Sequence, residues 1–573
     1  MIEPLVKRLA IPLGHPKTVA GLLVISALAP GLPARAAPVP PDAGQTIREL
    51  QKQPELNAPK AAVPLRLEGD TAAPKGTAND EVRVAIKAIK VSGNSVFPPG
   101  ELEALAGNLV GGEHTFAELE AAAGRITAWY RTHGYVVARA YLPAQEIKDG
   151  VVLISVMEGR IGEQRVNNRS LLSDERANDY LGSIKSGDTL QAKPVDRALL
   201  LLNDTPGVGG ARATLQPGAS VGTSDLLIEL EPAAPYIASV ELDNYGNRYT
   251  GEHRMGGVLA LNSPFKMGDQ FTLRALTSNQ NMTYARVAYQ APVGGSGLRL
   301  GMAYSDTSYR LGQEFAALQA HGTASSSSLF AVYPFIRSQA SNLSCTFTWE
   351  DKKLSDQTDV PITASDKHVQ LANIGLAGNH QDTLGGAGIT AFDFSLVAGS
   401  LSMDAGALAA DMASAQSNGS FTRITYNINR LQHLTDNSSL SLALSGQQAS
   451  KNLNSSEKFS LGGASGVRAY PQGEGNGDEG WLVNLELRYN FSPVLQGVMF
   501  YDEGSVSINR NPFVAGIANT RDIAGAGVGV NASLAGIQLK AYLAWSTGGG
   551  QPTSEPATLN RNPRLWLQAG KQF

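Results

Sequence analysis

One arginine and one carboxylate in the C-terminal half are flanked as if built to meet. Arg468 sits in Phe459-Ser-Leu-Gly-Gly-Ala-Ser-Gly-Val-Arg-Ala-Tyr-Pro471, where a paired glycine and a turn precede Val467, Arg468, Ala469 and Tyr470. Downstream, Phe500-Tyr-Asp-Glu-Gly504 offers Asp502, with Phe500 and Gly504 at the same strand parity and Glu503 at the opposite one. In a confined site such a pair is worth more than on an open surface. That chemistry holds two parts together; it turns nothing over. Catalytic constellations do not emerge elsewhere. The eight histidines are scattered, with no His-Glu-x-x-His, and there is no Gly-x-Ser-x-Gly. Gly473-Glu-Gly-Asn-Gly477 lacks the Gly-Lys-Ser/Thr of a phosphate loop and is expected in a surface loop. Gly525-Ala-Gly-Val-Gly529 places glycine at every second position, which suits close packing of side chains better than a nucleotide cradle. A single cysteine, Cys345, excludes an internal disulfide and a Cys-rich zinc site. No enzyme activity, metal or cofactor is expected.

The elements that must position Arg468 and Asp502 are strands. From Tyr236 to Phe573 the hydrophobic period is 2. Leu298, Leu300, Met302 and Tyr304 alternate with Arg299, Gly301 and Ala303; Asn484, Glu486 and Arg488 face away from Val483, Leu485, Leu487 and Tyr489; Ile537–Trp545 repeats the pattern. Gly 61, charged residues at 17% and a mean hydropathy of −0.12 fit alternate side chains facing lipid and water. Spanning strands of about 9–11 residues divide residues 236–573 into roughly 16, an even number as bacterial barrels have. Such a barrel encloses an aqueous channel. Tyr284, Tyr304, Tyr489, Trp545 and Trp566 suit interfacial girdles, and the chain ends on Phe573 after alternating apolar residues. A net charge of −4 gives no nucleic-acid footprint.

The N-terminal part reads differently. Residues 1–36 are expected to be a signal peptide: Lys7, Arg8 and Lys17, an apolar core from Thr18 to Ala29, and Ala34-Arg-Ala36 for cleavage. Residues 37–56 hold a short amphipathic candidate with Ile47 and Leu50 on one helical face, a possible pore plug, and Pro54 would cap or bend it. Residues 57–81 read as an extended Pro/Gly linker. Residues 82–160 and 161–235 then repeat one order, strand-helix-helix-strand-strand. In the first copy Val82–Val91 changes parity midway, as a bulge or a doubly buried strand would, and Thr115 with Glu118 makes a capping box. In the second, helices are expected over Asp174–Ile184 and Lys193–Asn203.

This α+β order, with Val-Ser-Gly-Asn94 closing the first strand and Trp129-Tyr-Arg-Thr-His-Gly-Tyr135 ending the second helix, resembles the POTRA domain. Asp243-Asn-Tyr-Gly-Asn-Arg-Tyr-Thr-Gly251 is similar to the first-strand motif of the TpsB two-partner secretion transporters. Val467-Arg-Ala-Tyr470 is similar to their sixth outer loop, usually Val-Arg-Gly-Tyr or Phe, and Phe500–Gly504 to their Phe-x-Asp-x-Gly strand. The resemblance implies two periplasmic POTRA modules that receive an unfolded TpsA-type exoprotein, in part by β-augmentation. It further implies a monomeric transmembrane antiparallel β-barrel in outer-membrane lipid, inserted by the barrel-assembly machinery through Phe573, and a loop held to the wall by Arg468 and Asp502. Ala469 departs from the pattern: were φ positive there, alanine would be disfavoured. An outer-membrane protein insertase is the alternative, although such proteins usually carry more modules.

Overall fold

The computed structural model describes residues 40–51, 66–67 and 83–573. The expected signal peptide, Pro54 and most of the linker lie outside the described residues. Among the described residues no helix is long and apolar enough to cross a membrane. The expectation of spanning strands is met by a closed, entirely antiparallel barrel of sixteen. Barrel strand 1 (Tyr236–Asp243) closes it against barrel strand 16 (Arg564–Gln572), from Ser239 opposite Gln572 to Asp243 opposite Gln568. Side chains follow the parity read from the sequence. Leu300, Met302 and Tyr304 face outward and exposed, as do Leu485, Leu487 and Tyr489. Tyr284 and Trp566 correct the girdle expectation, because both are buried in the lumen. Alternation decides this: Leu565 and Leu567 take the outward positions, so Trp566 between them must point in.

The first module contains β2 (Arg83–Ala85), β3 (Ala88–Ser92), α2 (Pro99–Ala104), β4 (Glu113–Thr115), α3 (Phe116–Thr132), β5 (Arg139–Tyr141) and β6 (Val151–Met157). The parity change in Val82–Val91 is neither a bulge nor a doubly buried strand. It is a break between β2, which pairs with β4, and β3, which pairs with β6. The Thr115/Glu118 capping box starts α3 as expected. Glu158 is buried and accepts hydrogen bonds from Ser95 N, Ser95 Oγ, Val96 N and Tyr130 Oη, which pins the turn after β3 to the end of the sheet.

The second module is β7 (Arg160–Asn168), α4 (Asp174–Asp179), α5 (Ala192–Asn203), β8 (Val208–Pro217) and β9 (Thr223–Pro232), in the expected order but with α4 shorter than predicted. Its sheet carries a guest: β1 (Arg66–Leu67), from the linker, pairs in parallel with the edge of β8. This module docks on one end of the barrel. Arg337 forks onto Asp204 at 2.6 and 2.9 Å, Arg299 donates to the Asp204 carbonyl at 2.6 Å, and Arg197 donates to the Pro334 carbonyl at 2.7 Å.

Among the described residues, a helix and a long loop enter the lumen from outside the barrel wall. Helix α1 (Ala43–Gln51) buries Ala43, Ile47 and Leu50 against inward side chains that include Leu276, Leu354 and Val369. Asp42 caps its start by accepting from Gln45 N, the Ala43 amide donates to Asp356, and Gln51 reaches Glu350. The other segment is the long loop at residues 450–478, here L6, which leaves the barrel end opposite the modules and folds back inside.

Candidate functional site: a loop locked inside the barrel

L6 enters the lumen because its chain is built to be buried at the tip. Leu461, Val467 and Tyr470 are fully enclosed with Leu482, Phe500, Val506 and Ile523 of the wall. Glycines at every second position of the facing strand, Thr520–Leu534, leave room for Ala469 and for the wall side chains around the tip. A side chain at Gly525 would collide with Ala469, at Gly527 with Phe500, and at Gly529 with Tyr542. The period-2 glycines therefore receive lumen side chains, as the sequence suggested. Ala469 is absent from the residues with positive φ, so an L-residue is accommodated and its methyl fills the space over Gly525.

Arg468, 4% exposed, is the centre of the site. Nε and Nη2 donate to the two oxygens of Asp502 at 2.8 and 2.7 Å, and the Arg468 amide donates to the same carboxylate at 3.1 Å. Asp502 is completely buried, so this bidentate pair works at low dielectric. Asn484 Nδ2 donates to Asp502 Oδ1 at 2.7 Å and to the Gly466 carbonyl at 3.0 Å. The guanidinium carbon lies 3.5 Å from the Phe500 ring centroid, a cation–π contact that uses the first residue of the wall motif. Gly504 leaves room for Leu461. Glu503 is exposed on the opposite face beside Tyr501.

Besides Asn484, two further contacts of Arg468 and a separate buried carboxylate of L6 went unread in the sequence. Glu486 accepts from Arg468 Nη1 at 2.6 Å and from Arg488 at 2.8 Å. Its inward parity was legible, but its placement one rung from Asp502 depends on the register that sets Asn484 opposite Asp502. Trp566 Nε1 donates to the Arg468 carbonyl at 2.7 Å, so the tip also touches the closing strand. Glu457, buried in L6, is held by Lys352 and Arg423 of the wall at 2.9 Å each. Gly473–Gly477 is a further correction: it is not at the surface, and Glu474 is 0% exposed. Phe573 is exposed at the module end, with its amide donating to the Ala238 carbonyl.

A sixteen-strand barrel, two α/β modules at one end and an arginine-tipped loop inside form one arrangement. The family model for the haemolysin secretion/activation proteins ShlB, FhaC and HecB matches residues 222–532, and a ShlB-type POTRA model matches residues 84–159. The chain belongs to that family. The heme/hemopexin transporter protein HuxB of Haemophilus influenzae (strain 86-028NP) is 29% identical over 509 residues, covering 87% of this chain and 89% of HuxB. The outer membrane transporter CdiB of Dickeya dadantii (strain 3937) is 24% identical over 387 residues, 65% of this chain and 67% of CdiB. The solved structure of CdiB from Escherichia coli superposes with a TM-score of 0.70 at 19% identity, over 93% of this chain and 96% of that one, which establishes the shared fold. As a member of this family the chain is an outer-membrane transporter of two-partner secretion, not an insertase, with its POTRA modules in the periplasm. The docked end is then periplasmic, and L6 enters from the extracellular side.

Proposed function

We propose that this transporter receives one unfolded TpsA-type exoprotein at its POTRA modules and passes it through the barrel once α1 and L6 have given way. Arg468, with Val467, Ala469 and Tyr470, acts in this reading as a lock on Phe500, Asp502 and Gly504, and α1 as a plug. One observation carries the reading: the lumen is filled by segments held through side chains, while the wall is held by a closed backbone ladder. Side-chain contacts can be exchanged without breaking the ladder, so the contents can move while the wall persists. Wall, lock and plug all come from one chain, which suits a monomer in outer-membrane lipid. The exposed terminal Phe573 suits recognition by the barrel-assembly machinery. Export would draw on folding of the passenger outside the cell. The test is a deletion strain whose culture supernatant is compared with that of its parent. One large exoprotein should disappear and return with the wild-type gene; an unchanged supernatant would count against the reading.

A further inference from the structure

Beside its tip L6 carries a further buried charge whose partners are not on the wall alone, and Tyr470 Oη lies 2.6 Å from the neighbouring carbonyls of Gly548 and Gly550. Glu474 is fully enclosed. It pairs with Arg521, whose Nε lies at 2.8 Å and Nη2 at 2.7 Å. It also accepts from Thr553 N at 2.9 Å, Thr553 Oγ1 at 3.0 Å, Ser554 N at 2.8 Å and Ser554 Oγ at 2.7 Å. Thr553 and Ser554 belong to the last extracellular loop, residues 549–563, here L8. Arg521 completes the joint by donating to the carbonyls of Gly549 and Gln551. Two glycines with positive φ, Gly473 at 87° and Gly475 at 64°, flank Glu474 and turn its carboxylate toward L8. A side chain at Gly473 would run into Gln45 of α1, so the same turn abuts the helix.

We propose that Glu474 is the positioning residue of a second latch, separate from the Arg468–Asp502 lock, which holds L8 closed over the extracellular mouth. The inference rests on the transport reading above and adds to it an outer gate. The donors on L8 differ from Arg521 in what they can do once the carboxylate is gone. Thr553 and Ser554 lie on a loop at the outer rim, where an outward swing gives them water as a partner. Arg521 sits in a barrel strand and cannot follow. Loss of Glu474 therefore loosens L8 at Thr553 and Ser554, while Arg521 and Tyr470 keep their bonds to the carbonyls of Gly549, Gly550 and Gln551 and the tip, held through Asp502, Glu486 and Trp566, stays docked.

The experiment is hydrogen–deuterium exchange on the full-length protein in lipid nanodiscs, comparing wild type, Glu474→Ala, Glu474→Gln and Arg468→Ala. In Glu474→Ala the amides of 553–555 should exchange about tenfold faster while 466–470 stay within about twofold of wild type. Arg468→Ala should do the reverse. Glu474→Gln keeps an acceptor for Thr553 and Ser554 without the charge facing Arg521, and should fall between. Should Glu474→Ala fail to insert, Glu474→Gln and Arg521→Ala carry the same comparison. Unchanged exchange in 553–555, or acceleration of both segments together in either variant, would overturn the second latch. Exchange is read without a passenger, so a failure of the transport reading would show separately, as a supernatant that Arg468→Ala leaves unchanged.

Discussion

Arg468 gathers in one side chain a bidentate pair, a second carboxylate and an aromatic face, and gives its own carbonyl to Trp566. Taking one partner from a buried pair costs roughly 3–5 kcal/mol, because the remaining charge is left desolvated. Undocking L6 relieves that cost, whereas the barrel ladder has no comparable outlet. A different buried carboxylate, Glu158, offers a pH test in the periplasm. Burial raises its pKa, but the hydrogen bonds from Ser95, Val96 and Tyr130 outweigh that and leave it below the usual glutamate value. Its contribution to the first module is therefore fully present above the unfolded value of about 4.3 and is lost as pH falls through the depressed folded value. Glu158→Gln should destabilise that module at neutral pH, and the gap from wild type should close in acid. Trp129 reports on the module by fluorescence during urea unfolding of the full-length protein, because the other tryptophans lie in barrel strands. A gap of constant size across pH would contradict the role given to Glu158. At this scale the sequence was legible where a motif marks a residue and blind where register supplies the partner. Arg468 and Asp502 could be named; Glu486, Asn484 and Trp566 required the strand pairing.

At the scale of elements, α1 and L6 meet. Gly44 of α1 lies against Ser455 and Ser456 of L6, and a side chain there would strike both. Gly44→Val should expel the helix while leaving the closed ladder intact. Planar-bilayer recordings should then show larger and more frequent openings than wild type; an unchanged current would mean that α1 does not limit conduction. The amphipathic face of α1 was readable from Ile47 and Leu50, because helical spacing is local. What it packs against was not, since its neighbours come from strands hundreds of residues away. The same reasoning explains Val82–Val91. Its parity change was visible, but only pairing with β4 and β6 shows it to be a break between two sheets.

Across the whole molecule, the second module and the barrel are tied through Asp204, to which Arg337 and Arg299 both reach. Asp204→Ala leaves the buried Arg337 fork without its carboxylate. Exchange in the periplasmic turns should rise by several-fold while the barrel strands stay protected, and unchanged exchange in those turns would remove this pair from the docking. The strand count was legible from length and period, since each spanning strand needs a fixed number of residues. The occupied lumen was only partly so, because composition does not say which loops fold inward. In the function proposed above, the Arg468 lock governs export without building the barrel. The most direct test replaces Arg468 by Ala in the native strain, then measures the transporter in the outer membrane and its exoprotein in the supernatant. An outer-membrane amount within about twofold of wild type, with the exoprotein lost from the medium, is the expected result, as the ladder does not pass through Arg468. Normal exoprotein in the medium would contradict the lock.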